Sequence, residues 1–569
     1  MVPVHHAKAL TKRTGMYAGA GVLLWAALTG YLAWPALPAD GPWLRALALA
    51  LASGAVATGL ALAACAALLS AMPLGMPARG WPRLLPAFLA LPHMAFALGV
   101  LLLLSPSGML VRFLFALLAP LQALLPWPLD TPPDWQSTQD PWGLGLVLVL
   151  VCKETPFLLW CALAQWQRPD LAQRWRREMA LARTWGYSER RAWWRVVWPQ
   201  LVPRLGGPLL AVAMYSVSVI DVAWIIGPGA PPTLAVLAWQ WLQDANPARR
   251  AQGLAAMAVL AACTAVLAVL ACAAYQSWLR MGGRRRWSGG PAAMPPLAPQ
   301  GLYVPHSPYS RALTWRPRLA YRTLPAVYLA VAAALAFSSV AGAWPFPAVW
   351  PQQWTLQAWQ LVAGSSAALG TTLWLAFASA LSALALAVAL LEALPRRFHT
   401  ALMGLALCAL LVPALVWAWL LQTGALALGL EGSVTGLWLA HTLTVWPYLV
   451  LSLQAPYAGV DGRLAAVAAS LGRSRWAFLW KVQLPLLRGA LASAGAIGFA
   501  VSVAQFLPTL FVGGGRFSTV STEALALSSG GQRSLVAAYA LLQWVLPAGA
   551  FALAWWLGRA RRFALPALH

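Results

Sequence analysis

Few side chains in this sequence have the types and spacing needed for catalysis. None of the seven histidines belongs to a His-Glu-x-x-His pattern, and the six cysteines show no Cys-x-x-Cys spacing that would suggest a metal site. A Walker-type phosphate loop needs Gly-Lys at the head of a helix. The four lysines follow Ala7, Thr11, Cys152 and Trp480. The sequence therefore predicts no catalytic residues, no bound metal or cofactor, and no ATP site on this chain.

The composition is that of a membrane protein. Hydrophobic residues make up 61% of the 569 residues and charged residues only 9%, against about 25% charged residues in soluble domains. This excludes a disordered chain, a collagen-like chain and a cytosolic enzyme. The net charge of +25 then indicates basic cytoplasmic loops rather than nucleic-acid binding.

Twelve apolar segments are long enough to span a bilayer, since about 20 residues are needed. They are 16–34, 45–72, 84–104, 142–164, 207–228, 252–279, 323–343, 361–392, 398–423, 433–455, 489–512 and 534–557. With the N-terminus inside, 32 of the 39 Lys and Arg residues fall in inner segments, as the positive-inside rule requires. The prediction is an all-α polytopic membrane protein with both termini in the cytoplasm.

A long charged segment without a span divides the chain. Residues 280–322 contain Arg284-Arg285-Arg286 followed by Gly289-Gly290-Pro291, which is typical of a linker. The predicted organisation is a first six-span domain at 1–279, a cytoplasmic linker at 280–322 and a second six-span domain at 323–569.

Polar groups inside the spans are functional candidates, because burying them in hydrocarbon is costly. Asp221 in the fifth span and Gln505 in the eleventh align at a shift of 284 residues and could line a solute path. The alternative is that Asp221 pairs with another group of the chain or with outer-leaflet water. We expect Lys153-Glu154 to form a local ion pair. The single intramembrane histidines, His93 and His441, are expected to be hydrogen-bonded packing residues.

An internal repeat occupies two loops on the cytoplasmic side. A shift of 286 residues aligns the loop after the fourth span with the loop after the tenth. The matched pairs are Ala180/Ala466, Ala182/Ala468, Gly186/Gly472, Ser188/Ser474, Trp194/Trp480, Val196/Val482, Pro199/Pro485 and Leu201/Leu487.

Each copy predicts a helix–glycine–helix elbow. The glycine permits a left-handed helix cap, the serine two residues later can cap the next helix, and Pro199 or Pro485 is expected to break that helix near the membrane. The alternative is a pair of amphipathic helices lying at the membrane surface.

These loops resemble the signature of the inner-membrane permeases of binding-protein-dependent ABC importers. That signature reads Glu-Ala-Ala, three residues, Gly, and then a fixed gap to Leu-Pro; the gap from Gly to Pro is thirteen positions in both halves here. The Glu is replaced by Ala180 and Ala466, and the first Ala by Leu181 and Val467. Glu178 could substitute for the missing Glu in the first half.

Other segments extend the resemblance over most of the chain. Leu91-Pro92-His93 and Leu411-Val412-Pro413 resemble the family's proline-containing core helix, and the segments beginning at Ser218 and Ser502 resemble its fifth core helix. Ser218 and Ser502 therefore join Asp221 and Gln505 as solute-path candidates. The fused, thiamine- or ferric-iron-like branch of type I permeases is the most similar.

The resemblance implies a permease subunit with two six-helix type I domains in the bacterial inner membrane, acting by alternating access. Two copies of an ATPase subunit would dock at the elbows and carry ATP and Mg²⁺, and a periplasmic binding protein would deliver a small solute. The coupling residues would be Ala180, Leu181, Ala182, Gly186, Ser188, Pro199, Ala466, Val467, Ala468, Gly472, Ser474 and Pro485. No nucleic-acid partner is expected.

Two other functions remain open from the residues alone. An ion-coupled secondary transporter with two six-helix halves would use buried carboxylates or histidines, of which Asp221 is the clearest. A membrane-embedded lipid or glycan enzyme would place acids in outer loops, as Asp130, Asp134 and Asp140 are placed. Neither explains a duplicated elbow, and the sequence does not identify the solute.

Overall fold

A computed structural model describes residues 37–38, 41–72, 84–120, 129–285 and 315–559. Over these residues the chain is built from α-helices, and the paired extended backbone found there is one isolated bridge between Ala341 and Trp354. Ten described helices are long and apolar enough to cross a membrane, and one bent pair makes an eleventh span. The predicted first span, 16–34, lies outside the described residues.

The described residues of the first half form ten helices. They are α1 (Trp43–Ala71), α2 (Leu85–Ala90), α3 (His93–Leu104), α4 (Met109–Leu118), α5 (Leu144–Trp166), α6 (Pro169–Thr184), α7 (Glu189–Ser218), α8 (Asp221–Ile226), α9 (Leu234–Leu242) and α10 (Pro247–Arg285).

Eleven helices follow between residues 315 and 559. They are α11 (Trp315–Ser339), α12 (Gln357–Gly364), α13 (Ser366–Ala393), α14 (His399–Leu411), α15 (Ala414–Ala427), α16 (Val434–Ala458), α17 (Gly462–Ser470), α18 (Arg475–Ala504), α19 (Leu507–Gly513), α20 (Val520–Leu527) and α21 (Arg533–Arg559).

Four predicted spans are interrupted rather than continuous. Segment 84–104 is divided at Leu91-Pro92 into α2 and α3, and segment 398–423 bends by 103° between α14 and α15 at Val412-Pro413. Proline lacks the N–H that would continue the helical ladder, and it forces the preceding residue out of the helical region. The break between α18 and α19 has Pro508 in the first turn of α19, whereas the break between α7 and α8 has no proline at the junction.

The helices run alternately between two ends of the bundle. Gly206 near the start of the apolar part of α7 faces Tyr275 late in α10, and Gly489 in α18 faces Gly558 late in α21. The two elbows lie at this end, because α5 and α16 finish there. Its many basic residues place it in the cytoplasm under the positive-inside rule. At the opposite, outer end, α9 and α20 begin 286 residues apart and have largely buried first turns. These two short helices were not predicted from the sequence.

The two halves interlock through α11. Its Tyr328 packs against Phe88 and Phe96 of the first half, with ring centroids 4.3 and 4.9 Å away, and donates a hydrogen bond to the Cys152 carbonyl at 3.3 Å. Gly99 of α3 permits this approach, since a Cβ there would stand 2.6 Å from the Val331 side chain. Helices α10 and α11 also extend into the expected linker, covering 280–285 and 315–322, because their arginine-rich ends can stay helical beyond the apolar core.

Candidate functional site

The two elbows have the same backbone geometry. Helix α6 ends at Thr184 and α17 at Ser470, and the glycine two residues later has φ +80° at Gly186 and +67° at Gly472. The left-handed caps expected from the sequence are therefore present. In each elbow the residue after the glycine donates its N–H to the carbonyl of the second alanine of the motif: Tyr187 to Ala182 at 3.2 Å and Arg473 to Ala468 at 2.9 Å. This is the Schellman pattern that closes a helix C-terminus.

The serines cap the following helices as expected. The Ser188 hydroxyl accepts from the Arg191 N–H at 3.4 Å, and the Ser474 hydroxyl accepts from the Ala477 N–H at 3.2 Å. Gly, Ser and their spacing thus fix a sharp turn that leaves the elbow outside the bundle. A Cβ added at either glycine would meet nothing within 4 Å.

The prolines do not break the next helix, and this expectation was wrong. Both α7 and α18 run on for 30 residues through a π-helical turn, at Trp193–Val197 and Leu479–Gln483. These turns lie 286 residues apart, and Pro199 and Pro485 follow them directly. The wider turn shifts the hydrogen-bonding ladder by one residue, so the missing proline N–H is accommodated without ending the helix.

Each elbow presents two large apolar side chains at equivalent positions. Leu181 and Trp185 in the first elbow are 54% and 71% exposed, and Val467 and Leu471 in the second are 56% and 71% exposed. In these pairs, Leu181 aligns with Val467 and Trp185 with Leu471. Repeated exposure of apolar side chains outside the hydrocarbon is typical of an interaction surface.

The two elbows differ in how they are held. In the first, Trp175 is fully buried against Trp166, and Gln200 joins Trp175 to Glu178 through hydrogen bonds of 3.3 and 2.6 Å. Glu178 also pairs with Arg174 at 2.7 Å. Its carboxylate is therefore engaged within the elbow, contrary to the idea that it could replace the motif's missing Glu in an outside contact.

The second elbow has a lighter attachment. Helix α17 contains no buried residue. Glu392 at the end of α13 forms an ion pair with Arg475 at 3.5 Å and accepts a hydrogen bond from Gln483. These contacts hold the start of α18 but do not reach α17 itself.

A second group of polar residues lies within the membrane-spanning part of the first half. His93 begins α3, immediately after the break, and its Nε2 lies 3.0 Å from Glu154 Oε1 on α5. Lys153 donates instead to the Phe88 and Leu91 carbonyls, at 3.0 and 2.5 Å. The predicted ion pair between Lys153 and Glu154 is thus wrong. The lysine satisfies the carbonyl end of α2, where the helix dipole favours a cation, and the glutamate holds the start of α3.

Asp221 stands close to this pair. It opens α8 at the break after α7 and is within electrostatic range of His93 and of Tyr215, whose ring is 4.7 Å from the His93 ring. Tyr448 of the second half lies within the same range of Tyr215. Asp221, Tyr215 and Tyr448 all keep part of their surface accessible although protein surrounds them, as expected for side chains that line a cleft. We call His93, Glu154, Asp221, Tyr215 and Tyr448 the intramembrane cluster.

The other predicted path residues have different surroundings. Gln505 is half-buried and caps α18 at the break before α19. The two breaks align at a shift of 286 residues, so Gln505 corresponds to Val219, and Asp221 corresponds to Leu507 at the start of α19. The expected pairing of Asp221 with Gln505 at a shift of 284 is therefore wrong. Ser218 is buried and donates to the Met214 carbonyl at 2.7 Å. Ser502 is buried between Ser379 and His441, at 3.0 and 2.9 Å. Neither serine faces open space in this conformation.

His441 behaves as predicted for a packing residue. It is fully buried, and its two ring nitrogens lie 2.9 Å from the Ser502 and Thr509 hydroxyls. His93 is hydrogen-bonded as predicted, to Glu154, but a third of its side chain is exposed, so it is not a buried packing residue. The His93–Glu154 pair was missed because the two residues are 61 positions apart. Their similar depth in the third and fourth spans was the available signal.

Several known permeases are similar to this chain in sequence. No family model matches the chain. The chain is 33% identical over 540 residues to the inner membrane ABC transporter permease protein YnjC of Escherichia coli (strain K12), covering 93% of this chain and 92% of the relative. It is 34% identical over 193 residues to the thiamine transport system permease protein ThiP of the same strain, covering 30% of this chain and 36% of that one. It is 32% identical over 103 residues to the molybdenum transport system permease protein ModB of Mycobacterium tuberculosis (strain ATCC 25618 / H37Rv), covering 18% and 39%.

Proposed function

The chain belongs to the inner-membrane permeases of ABC importers, and we propose that its two elbows are the sites at which two ATPase subunits dock. It is a multi-pass permease subunit. Membership of this family argues against the ion-coupled secondary transporter and against the membrane-embedded enzyme. ATP and Mg²⁺ would be bound by the ATPase subunits, one for each elbow. A periplasmic binding protein would deliver the solute at the outer end.

The paired elbows carry this proposal. Each has a left-handed glycine turn, two exposed apolar side chains and a direct helical continuation into a spanning helix. A groove that grips Leu181 and Trp185, or Val467 and Leu471, would therefore move α7 or α18 as a lever. Closing two ATPase subunits would bring the elbows together and turn the space between the halves outward, which is alternating access by rigid-body motion.

The solute would pass between the halves beside the intramembrane cluster. Asp221 and Gln505 stand at matching breaks in α7–α8 and α18–α19, and broken helices offer free backbone groups to a solute in the membrane. Relatives are named for thiamine, molybdenum and spermidine/putrescine transport. A small polar or charged solute fits this set. The chain would be organised as two domains, 1–279 and 323–569, joined by the linker.

The docking proposal can be tested with the double variant Trp185→Glu and Leu471→Glu. Both side chains are 71% exposed, so the substitutions should leave the fold intact, while two carboxylates should prevent apolar docking. We expect co-purification with the ATPase subunit, and solute-dependent ATP hydrolysis in proteoliposomes, to fall about tenfold or more.

Trp142→Glu is the matched control. Trp142 is 79% exposed but precedes α5 at the outer end. This variant should keep wild-type association. Equal association of the double variant and the control would refute docking at the elbows.

A further inference from the structure

A cleft at the outer end brings together two arginines, Arg112 and Arg533. It has a volume of about 670 Å³ and is bounded by Ser107 and Arg112 of the first half and by Gln353, Gln532 and Arg533 of the second. None of the described residues that line it is acidic, and neither arginine forms an ion pair within the described part of the chain.

Arg112 is fixed in place. It is 4% exposed and donates to the carbonyls of Ser107, Trp344, Pro345 and Ala348 at 2.8–3.0 Å. Its guanidinium also lies over the Trp344 ring, 4.8 Å from the centroid. A buried guanidinium without a counter-ion is costly even when carbonyl oxygens surround it.

Arg533 brings a second positive charge to the same point. Its Nη1 donates at 3.1 Å to the Ser107 carbonyl that also accepts from Arg112 Nε at 3.0 Å, and its Nη2 donates at 2.6 Å to the Ser107 hydroxyl. Two guanidinium groups on one oxygen repel each other. Arg533 is exposed, and its other N–H groups remain available for a ligand. The arrangement is stable only at a cost that an anionic group would relieve.

We propose that this cleft receives an acidic side chain of the solute-binding protein, and the proposal rests on the function proposed above. A carboxylate matches the fork of an arginine in two-point hydrogen bonding. A free anion at an exposed arginine would be screened by salt, whereas a docked protein would cover Arg533 and exclude water. Because the cleft is built from both halves, a carboxylate seated there would bind best in one relative position of the halves.

The test uses the complete permease–ATPase complex in nanodiscs and the solute-binding protein that stimulates its ATP hydrolysis. Arg533→Glu should lower the association rate constant of the binding protein about tenfold or more at low salt. Arg249→Glu is the control, since Arg249 is exposed on the first turn of α10 at the outer end and lies outside this cleft. It should change the rate constant less than twofold. Retention of ATPase subunits by size exclusion shows that both variants are assembled.

A charge exchange gives the second arm. Replacing the responsible acidic residue of the binding protein by Arg should restore association to Arg533→Glu and weaken it with the wild type. Equal rate constants for the two permease variants would overturn the proposal while leaving the permease function intact. The same holds if Arg533→Glu changes only the solute concentration needed for half-maximal transport, because the anion would then be the solute. A wild-type complex that no binding protein stimulates would overturn the proposed function as well.

Discussion

At the scale of single residues, the break in the third span depends on two neighbours with opposite charge. Lys153 satisfies carbonyls at the end of α2, and Glu154 holds His93 at the start of α3. Both are nearly fully buried, so each needs its partner, since an unpaired buried charge is strongly destabilising. Lys153 and Glu154 therefore hold together the two parts of a span that Pro92 interrupts, and Glu154 fixes the position of His93 at the start of α3.

This role predicts that Glu154→Ala destabilises the protein by about 2 kcal/mol, because His93 loses its partner and a buried site is left unfilled. Glu154→Gln should cost less, since the amide oxygen can still accept from a neutral His93. Thermal unfolding followed by tryptophan fluorescence in detergent measures both. Glu431→Ala, at an exposed outer turn, should have little effect. If the Glu154→Ala and Glu431→Ala variants unfold at the same midpoint temperature, Glu154 does not hold the start of α3 in place.

The sequence predicted features that depend on neighbouring residues, but it did not predict contacts between residues that are distant in the chain. Gly186, Gly472 and their serines act within one turn, so the spacing alone predicted the elbow backbone. The His93–Glu154 pair and the cleft at Ser107 join segments 61 and 426 positions apart. Similar depth in neighbouring spans was the signal available for His93 and Glu154, and nothing comparable marks Arg112 or Arg533. The effect of Pro199 and Pro485 was predicted wrongly for a different reason. A π-helical turn changes the hydrogen-bonding register of the backbone, and residue type does not specify that register.

At the scale of elements, the two elbows have the same backbone geometry but differ in how firmly they are held to the rest of the protein. Helix α6 is clamped by buried Trp175 and by the Glu178–Gln200 hydrogen bond, whereas α17 buries no side chain. Helices with few buried contacts open locally at low free-energy cost. We therefore expect the first elbow to be preformed for the proposed ATPase contact and the second to become more fully ordered on forming it.

Hydrogen exchange should reveal this difference in the permease without ATPase. Amides of α17 should exchange faster than those in the last two turns of α6. Gln200→Ala should raise exchange in α6 about tenfold, which corresponds to a loss of about 1.4 kcal/mol of local stability. Gln167→Ala, at the exposed end of α5, serves as the control and should leave α6 unchanged. Equal protection of α6 and α17 in the wild type would show that the clamp contributes nothing.

At the scale of the whole molecule, the two halves are not independent six-helix bundles. Helix α11 follows the linker in the sequence yet packs on α3 of the first half through Tyr328 and Val331, and on α21 of its own half. The spans that the structure describes could be found from hydropathy, but which helix packs on which half depends on side-chain shape, and hydropathy does not encode it. In this position α11 would transmit motion from one half to the other.

The interlock predicts that the halves assemble even without a covalent link. Two chains, 1–300 and 301–569, expressed together should co-purify, because the separation falls between α10 and α11 and leaves the α3–α11 contact whole. Gly99→Leu should prevent this co-purification, since even a Cβ at Gly99 stands 2.6 Å from Val331 and overpacking of this kind costs about 1–3 kcal/mol. Gly59→Leu is the matched control, because a side chain at Gly59 on α1 meets nothing within 4 Å. If Gly99→Leu and Gly59→Leu chains co-purify equally well, the α3–α11 contact is not what joins the halves, and other contacts between them must hold them together.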